Sequence, residues 1–272
     1  MPHHRAHRNR RRLQTHRRVR ERRGTLLILM SVFSFGLGIA YLHYNQQIAI
    51  LHYQLSRPQE LPVAQPPPAQ PQSEPAPAVA HVPIPASLNL DVPFTSQAPA
   101  GTWDNTHEEF CEEASVLMAA RFFAQEPIIS AADADQAMMS LKSWELVHLG
   151  KFESTTATET QQMIEANFPL HVTLKREPTI QDIKQALADG SLILVPSAGQ
   201  KLHNPFFKQP GPIYHMLVVK GFTAKQFITN DPGTRHGADY LYGTDTLMQA
   251  MSDYSDNDPA HGTKIALVVS LS

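Results

Sequence analysis

The hydrophobic and polar positions of this 272-residue chain divide it into three stretches of different character. Residues 25–44 form an apolar run without a charge, residues 57–86 are dominated by proline, and residues 88–272 show helical and strand periodicities. An uncharged run of 20 residues is long enough to cross about 30 Å of hydrocarbon as a helix. The pattern therefore predicts one membrane-spanning segment followed, after a linker, by one folded domain.

Helical periodicity dominates the first half of the folded region. Apolar residues recur at intervals of three and four, which is typical of helices with one buried face. The predicted helices are Cys111–Phe123, Ala132–Trp144, Thr158–Asn167, Thr179–Asp189 and, later in the chain, Thr244–Met251.

Strand patterns dominate the second half, where apolar and β-branched residues cluster in short runs. The predicted strands are Leu88–Val92, His171–Leu174, Leu192–Val195, His215–Phe222, Gln226–Asn230 and Lys264–Leu271. Helices followed by strands indicate an α+β fold with an antiparallel sheet. The predicted organisation is a basic cytoplasmic tail at 1–24, a signal anchor at 25–44, a juxtamembrane and Pro-rich linker at 45–87, and a folded domain at 88–272.

Charge is distributed very unevenly along the chain. Residues 1–24 contain ten arginines and one glutamate, whereas the remainder has 13 Lys and Arg against 24 Asp and Glu. Arginines before an apolar run hold that end in the cytoplasm, so the folded domain is expected on the extracytoplasmic side. The apolar run exceeds a signal-peptide core, and Gly38–Tyr41 is a poor cleavage site, which favours an uncleaved anchor over a cleaved signal. The acidic remainder argues against nucleic acid as the main partner.

The linker contains ten prolines between residues 57 and 86. Such a composition favours an extended, polyproline-like spacer of about 3 Å per residue. We expect it to hold the domain several nanometres from the membrane. A docking site for a partner that binds proline motifs is the alternative.

Cys111 is the only cysteine, and it lies at the start of a predicted helix. The amino terminus of a helix favours a thiolate, and a lone cysteine cannot form an intrachain disulfide. A hairpin symmetric about Thr223 would place His215 opposite Asp231, as a base and the group that orients it. The N–H of Cys111 and the side-chain amide of Gln97 would stabilise an oxyanion.

The segments VPFTSQAP, CEEAS, PGPIYHMLVVKGF and FITNDPG together resemble the C-39-like cysteine peptidases of the papain-like clan. The resemblance covers most of residues 88–272 and implies a papain-like fold that cleaves peptide bonds without a cofactor. The order of catalytic residues in that family maps onto Gln97, Cys111, His215 and Asp231. The interval between Gln97 and Cys111 is longer than is usual in the clan.

Aromatic and acidic residues near these positions allow more than one interpretation. Trp103, Phe206 and Phe207 fit either a substrate-binding rim or loops anchored to the core. Four glutamates close to the thiol would raise its pKa; they are Glu108, Glu109, Glu112 and Glu113. They fit a weak enzyme, a positively charged substrate or a capped helix start.

The resulting hypothesis is a membrane-anchored extracytoplasmic cysteine peptidase that acts on a peptide or protein. The histidines show no metal-ligand spacing, so no metal is expected. Hydrolysis of cell-wall stem peptides with the same residues is an alternative, as is a catalytically silent surface-binding module. The oligomeric state is left open.

Overall fold

The computed structural model describes residues 32–58, 60–67, 82–255 and 261–272, and it divides the chain into two units, Met1–Ser56 and Arg57–Ser272. In the first unit, residues 32–56 form helix α1. The basic tail at 1–24 and residues 25–31 of the predicted anchor lie outside the described residues. Among the residues described, no helix combines the length and the apolar character needed to span a bilayer.

The second unit contains five α-helices among its described residues. They are α2 (Cys111–Ala124), α3 (Ala131–His148), α4 (Ala157–Asn167), α5 (Ile180–Ala188) and α6 (Thr244–Ala250). Thr156 and Thr179 each form a capping box with an acidic residue three positions later, which satisfies N–H groups that the helix cannot pair itself. Gln125 ends α2 in the left-handed conformation. All five helices were predicted, although α3 continues four residues beyond Trp144.

The described strands form one antiparallel sheet in the order β2-β7-β3-β4-β5-β6, with β1 paired to β4. They are β1 (Leu88–Asn89), β2 (Leu170–Arg176), β3 (Leu192–Ser197), β4 (His215–Phe222), β5 (Gln226–Asn230), β6 (Tyr240–Gly243) and β7 (Ile265–Leu271). The predicted α+β fold with an antiparallel sheet is therefore confirmed. Strand β6 was not predicted.

Strand β4 is central to the sheet, and each of its eight residues is buried. Helix α2 packs against it and places its own apolar residues in the core. On the other side of α2, a cluster of buried side chains joins it to α3; the cluster consists of Phe110, Ala114, Leu117, Ala134 and Met138. The amino terminus of α2 is thus fixed between the sheet and α3.

The register predicted for the β4–β5 hairpin is wrong. Symmetry about Thr223 would pair His215 with Asp231, but Val218 pairs with Asn230 and Gly221 with Ile228. The departure begins at the turn, where Phe222 pairs with Phe227, so the hairpin is not centred on Thr223. A bulge between Val219 and Gly221 then changes the register by one residue, and there the Lys220 carbonyl accepts a hydrogen bond from the Leu90 N–H at 2.9 Å. His215 therefore precedes the part of β4 that pairs with β5, and Asp231 follows the end of β5.

Part of the predicted spacer lies against the domain. Gln65 donates its N–H to the Asn89 carbonyl at 2.8 Å and accepts the Asp91 N–H at 2.6 Å, which extends the sheet beside β1. Further along, the Val82 N–H donates to the Asp189 carboxylate at 3.1 Å. The described parts of this stretch, residues 57–58, 60–67 and 82–87, belong to the second unit, and residues 68–81 lie outside the described residues.

We expect the Gln65 backbone contacts to stabilise the domain. Gln65→Pro removes the N–H that binds the buried Asn89 carbonyl and should lower the free energy of unfolding by about 1–3 kcal/mol. Gln65→Ala keeps both backbone hydrogen bonds and is the matched control. Urea unfolding of the full chain, followed by the fluorescence of Trp103 and Trp144, measures the difference. Equal stability of the two variants would show that this segment does not contribute.

Candidate active site

A short turn and an aromatic anchor hold Cys111 at the first position of α2. The 3-10 turn His107–Glu109 precedes it, and Phe110 is fully buried in the cluster between α2 and α3. The His107 ring contacts Asp104 through Nδ1 at 2.7 Å and Asp135 of α3 through Nε2 at 2.8 Å. These contacts fix the turn from both sides. Cys111 itself is 6% exposed.

Gln97 forms hydrogen bonds with the same turn. Its Nε2 donates to the His107 carbonyl at 2.8 Å and to the Glu108 carbonyl at 2.9 Å, which uses both amide hydrogens. Its Oε1 is buried and has no hydrogen-bond partner among the described residues. In this conformation Gln97 positions the turn before the thiol, and donation to an oxyanion would require it to release one carbonyl.

His215 and Asp231 are in direct contact despite the shifted register. The His215 Nε2 and Asp231 Oδ1 atoms are 2.7 Å apart, and both side chains are buried. Burial raises the pKa of Asp231, but His215 and the hydrogen bonds from Tyr242 and the Gly233 N–H together outweigh that effect and lower the pKa below its usual value. Asp231 is therefore a carboxylate. Because Nε2 faces Asp231, Nδ1 is the ring nitrogen that remains for another partner.

Two residues that sequence reasoning missed complete the surroundings of Asp231. Tyr242 of β6 donates its hydroxyl to Asp231 Oδ2 at 2.5 Å. Asn204 donates from Nδ2 to the same oxygen at 3.1 Å and to the Tyr242 hydroxyl at 2.8 Å. The Gly233 N–H binds Oδ1 at 2.9 Å. No sequence signal identified this network, because β6 has only four residues and Asn204 lies in a loop.

The aromatic residues predicted to line a substrate rim lie in different environments. Phe207 is 3% exposed and packs edge-on against the His215 ring, with 5.2 Å between ring centroids. Phe206 packs on the ring of His236 at 4.6 Å. Trp103 is 43% exposed, and Ile213, two residues before His215, is 63% exposed. Phe207 therefore buttresses the histidine, whereas Trp103 and Ile213 remain available for contact with another molecule.

The thiol of Cys111 lies close to the start of β4. The N–H of Met216, the residue after His215, donates to the sulfur, and the phenol of Tyr214, the residue before it, interacts electrostatically with the thiol. The thiol donates to Glu112 Oε2 at 2.9 Å. Burial and the Glu112 charge together raise the pKa of Cys111 well above its usual value. The structure thus brings the thiol and the His215–Asp231 pair to the same end of β4.

The four glutamates near the thiol divide into surface and buried residues. Glu108 is exposed and Glu109 half-buried, whereas Glu112 and Glu113 are fully buried. The Glu113 carboxyl group meets that of Glu145 from α3. None of these four oxygens has a donor among the described residues, so the pair needs a shared proton. Burial raises the pKa of Glu113 well above its usual value and that of Glu145 to about 8.

This carboxyl pair should make the domain less stable in base. Between pH 4.5 and about 8 the native state retains protons that the unfolded state releases, so the free energy of unfolding falls as pH rises. Glu113→Gln removes one acid, and its amide can donate to Glu145. Between pH 5 and pH 8 the free energy of unfolding of this variant should therefore fall by less than that of the wild type, with a difference of more than about 1 kcal/mol. Urea unfolding at both pH values tests this. Glu108→Gln, at an exposed position, should keep the wild-type dependence, and a Glu113→Gln variant that also keeps it would contradict the shared proton.

No group of three or more His, Cys, Asp or Glu side chains within the described ranges is arranged to hold a metal ion. The groups that the structure brings near one another are the buried Cys111 thiol, the His215 imidazole and the Asp231 carboxylate.

Comparisons with known proteins identify a family for this chain. The chain matches the Peptidase_C39 like family over residues 89–256, which is more than half of its length. Among solved structures it is similar to one described as a candidate C39-like peptidase from Bacillus anthracis, with 14% identity and a TM-score of 0.45, covering 66% of this chain and 94% of the other. No curated protein matches. The family match extends from β1 to the residues beyond α6 and includes Cys111, His215 and Asp231, and the chain belongs to the Peptidase_C39 like family.

Proposed function

We propose that this protein is a membrane-anchored, extracytoplasmic cysteine peptidase that hydrolyses a peptide bond through Cys111, His215 and Asp231. Membership of a peptidase family supports hydrolysis of peptide or protein substrates. The observation that carries the assignment is the buried contact of His215 Nε2 with Asp231, which leaves Nδ1 as the nitrogen for the thiol next to Met216. A base held by its orienting group near a thiol supports acyl transfer as the reaction.

The reaction starts with transfer of the Cys111 thiol proton to His215 Nδ1. The thiolate attacks the carbonyl carbon of the substrate, and the tetrahedral intermediate collapses as His215 gives the proton to the leaving amine. Water, deprotonated by His215, then hydrolyses the thioester and regenerates the thiol. The first-turn N–H groups of α2, including that of Cys111, are the donors for the oxyanion.

Asp231 maintains the orientation of His215 through these steps. Its charge favours the imidazolium that forms when the thiol is deprotonated, and it fixes the tautomer that carries its proton on Nε2. Tyr242 and Asn204 hold the other carboxylate oxygen, so Asp231 cannot rotate away from the ring. Phe207 closes one side of the imidazole.

Substitution of the three residues tests the assignment. Cys111→Ala and His215→Ala should each lower kcat/KM by roughly 10³-fold or more, and Asp231→Asn should do so through the wrong histidine tautomer. The measurement is cleavage of a mixed peptide library by the purified chain, followed by mass spectrometry. His171→Ala changes an exposed histidine on β2 and should keep the wild-type rate.

A His215→Ala variant with the wild-type rate would contradict the peptidase mechanism. Absence of cleavage by the wild-type chain, together with saturable peptide binding, would favour the silent binding module. The predicted spacer favours the cell-wall alternative more than the domain does, and Gln65 and Val82 of that spacer contact the domain. Release of stem peptides from isolated cell walls would favour it.

Membrane anchoring rests on the amino-terminal segment. The apolar side chains of residues 32–44 are exposed on every side of α1, including Phe33, Phe35 and Leu37. A helix that is apolar all round favours an apolar environment. Together with the uncharged run at 25–44 and the preceding arginines, this supports an anchor with its amino terminus in the cytoplasm.

A reporter fused to the carboxyl terminus tests this topology. A reporter that is active only in the cytosol should give no signal, whereas one that is active only outside it should give full signal. Replacing the ten arginines of residues 1–24 with glutamine is the control, because it removes the orienting charge and should let part of the population insert the other way round. Full cytosolic signal from the unmodified chain would overturn the assignment.

A further inference from the structure

Glu112 touches the reacting sulfur, but the mechanism above does not use it. The Cys111 sulfur donates to its Oε2 at 2.9 Å, while Oε1 accepts the Thr155 N–H at 2.8 Å. The two contacts fix the carboxyl group at both oxygens. The thiol proton is therefore directed to Glu112 in this structure.

Substrate cannot account for the presence of this carboxyl group. Glu112 is 0% exposed, so no ligand reaches it. The titratable groups that interact with it come from several elements: Cys111 and Glu113 of α2, Glu109 of the preceding turn, Glu145 of α3, and Tyr214 before β4. The carboxylates in this set oppose its ionisation, and the N–H of Thr155 favours it.

We propose that Glu112, as a hydrogen-bond acceptor, holds the Cys111 thiol proton in competition with His215 and confines peptidase activity to the acidic side of neutral pH. This inference rests on the proposed function. When Glu112 is a carboxylate, it keeps the thiol proton on sulfur and its negative charge opposes formation of the thiolate. When Glu112 is protonated, the thiol transfers its proton to His215 Nδ1, and the Glu112 hydroxyl donates to the resulting thiolate. In this transfer the thiol proton moves to His215 Nδ1, and Glu112 keeps its own proton.

The position of this equilibrium agrees with such a role. Burial raises the pKa of Glu112 to about 7, because an apolar environment disfavours the carboxylate. The two forms therefore exchange within the range in which most extracytoplasmic enzymes work. If the pKa of Glu112 had the usual value for glutamate, the inhibiting carboxylate form would predominate throughout that pH range.

Glu112→Gln mimics the protonated form of Glu112 at every pH. The amide has the same size, its oxygen can still accept the Thr155 N–H, and its NH₂ can donate to the thiolate at every pH. We expect alkylation of Cys111 by iodoacetamide at pH 8 to become at least tenfold faster than in the wild type. The fall of kcat/KM between pH 6 and pH 8 should disappear. Because Cys111 is the only cysteine, the label reports on this thiol alone.

Glu113→Gln is the matched control, since Glu113 is equally buried on the same turn but faces Glu145 instead of the thiol. It should keep the wild-type alkylation rate within about threefold and retain the fall in kcat/KM. A Glu112→Gln variant that folds, by circular dichroism and thermal melting, and alkylates no faster than the wild type would overturn the proposal. If that variant does not fold, the wild-type profile decides, because a kcat/KM that rises from pH 6 to pH 8 contradicts a carboxylate that inhibits.

Alkylation also distinguishes this proposal from the proposed function. The reagent needs no substrate, so a faster reaction in Glu112→Gln supports retention of the thiol proton by the hydrogen bond to Glu112 even if no peptide is cleaved. Loss of cleavage in Cys111→Ala and His215→Ala tests the peptidase separately. A cleaving enzyme in which Glu112→Gln changes neither alkylation nor the pH profile keeps its function and refutes the role of Glu112.

Discussion

The buried carboxylate of Asp231 is the constraint on which the site depends. An ionised group without exposed surface is costly by several kcal/mol unless charges and hydrogen bonds surround it. Four groups do so: His215 at the start of β4, the Gly233 N–H, Tyr242 of β6, and Asn204 in the loop before β4. Two strands and two loops are joined at this one charge. The position of the imidazole is therefore set by groups outside its own strand.

The thiol of Cys111 is fixed in a comparable way by contacts of the turn that precedes it. Phe110 is buried between α2 and α3, Gln97 binds two carbonyls of the turn before Cys111, and His107 bridges Asp104 and Asp135. The nucleophile sits where this fixed turn meets the helix. Because α2 also packs on β4, the two halves of the site move together with the core instead of on separate loops.

Periodicity was enough to predict the five helices and most strands, because a long amphipathic segment has few alternatives. The proximity of His215 and Asp231 was also predicted, but from a symmetric hairpin that the structure does not have. The turn joins Phe222 to Phe227 instead of centring on Thr223, and at the bulge Lys220 binds the Leu90 N–H, a partner 130 residues away that local sequence cannot reveal. Tyr242, Asn204 and the backbone pairing of Gln65 escaped prediction for the same reason. Sequence placed glutamates near the thiol, but only the packing of α2 shows that Glu112 and Glu113 are buried.

Two opposing electrostatic effects meet at Cys111, and their magnitudes decide its state. The amino terminus of α2 favours a thiolate by up to about 2 kcal/mol in a partly buried setting. A carboxylate about 4 Å away opposes the thiolate by roughly 4 kcal/mol at an effective dielectric constant of about 20. The Glu112 carboxylate also accepts a hydrogen bond from the thiol, with 2.9 Å between sulfur and Oε2. The helix therefore cannot generate the thiolate while Glu112 is charged. Once Glu112 is neutral, the repulsion vanishes, the helix terminus and the Met216 N–H favour the anion, and His215 can take the proton. The protonation of Glu112 thus determines whether the amino terminus of α2 can stabilise the Cys111 thiolate.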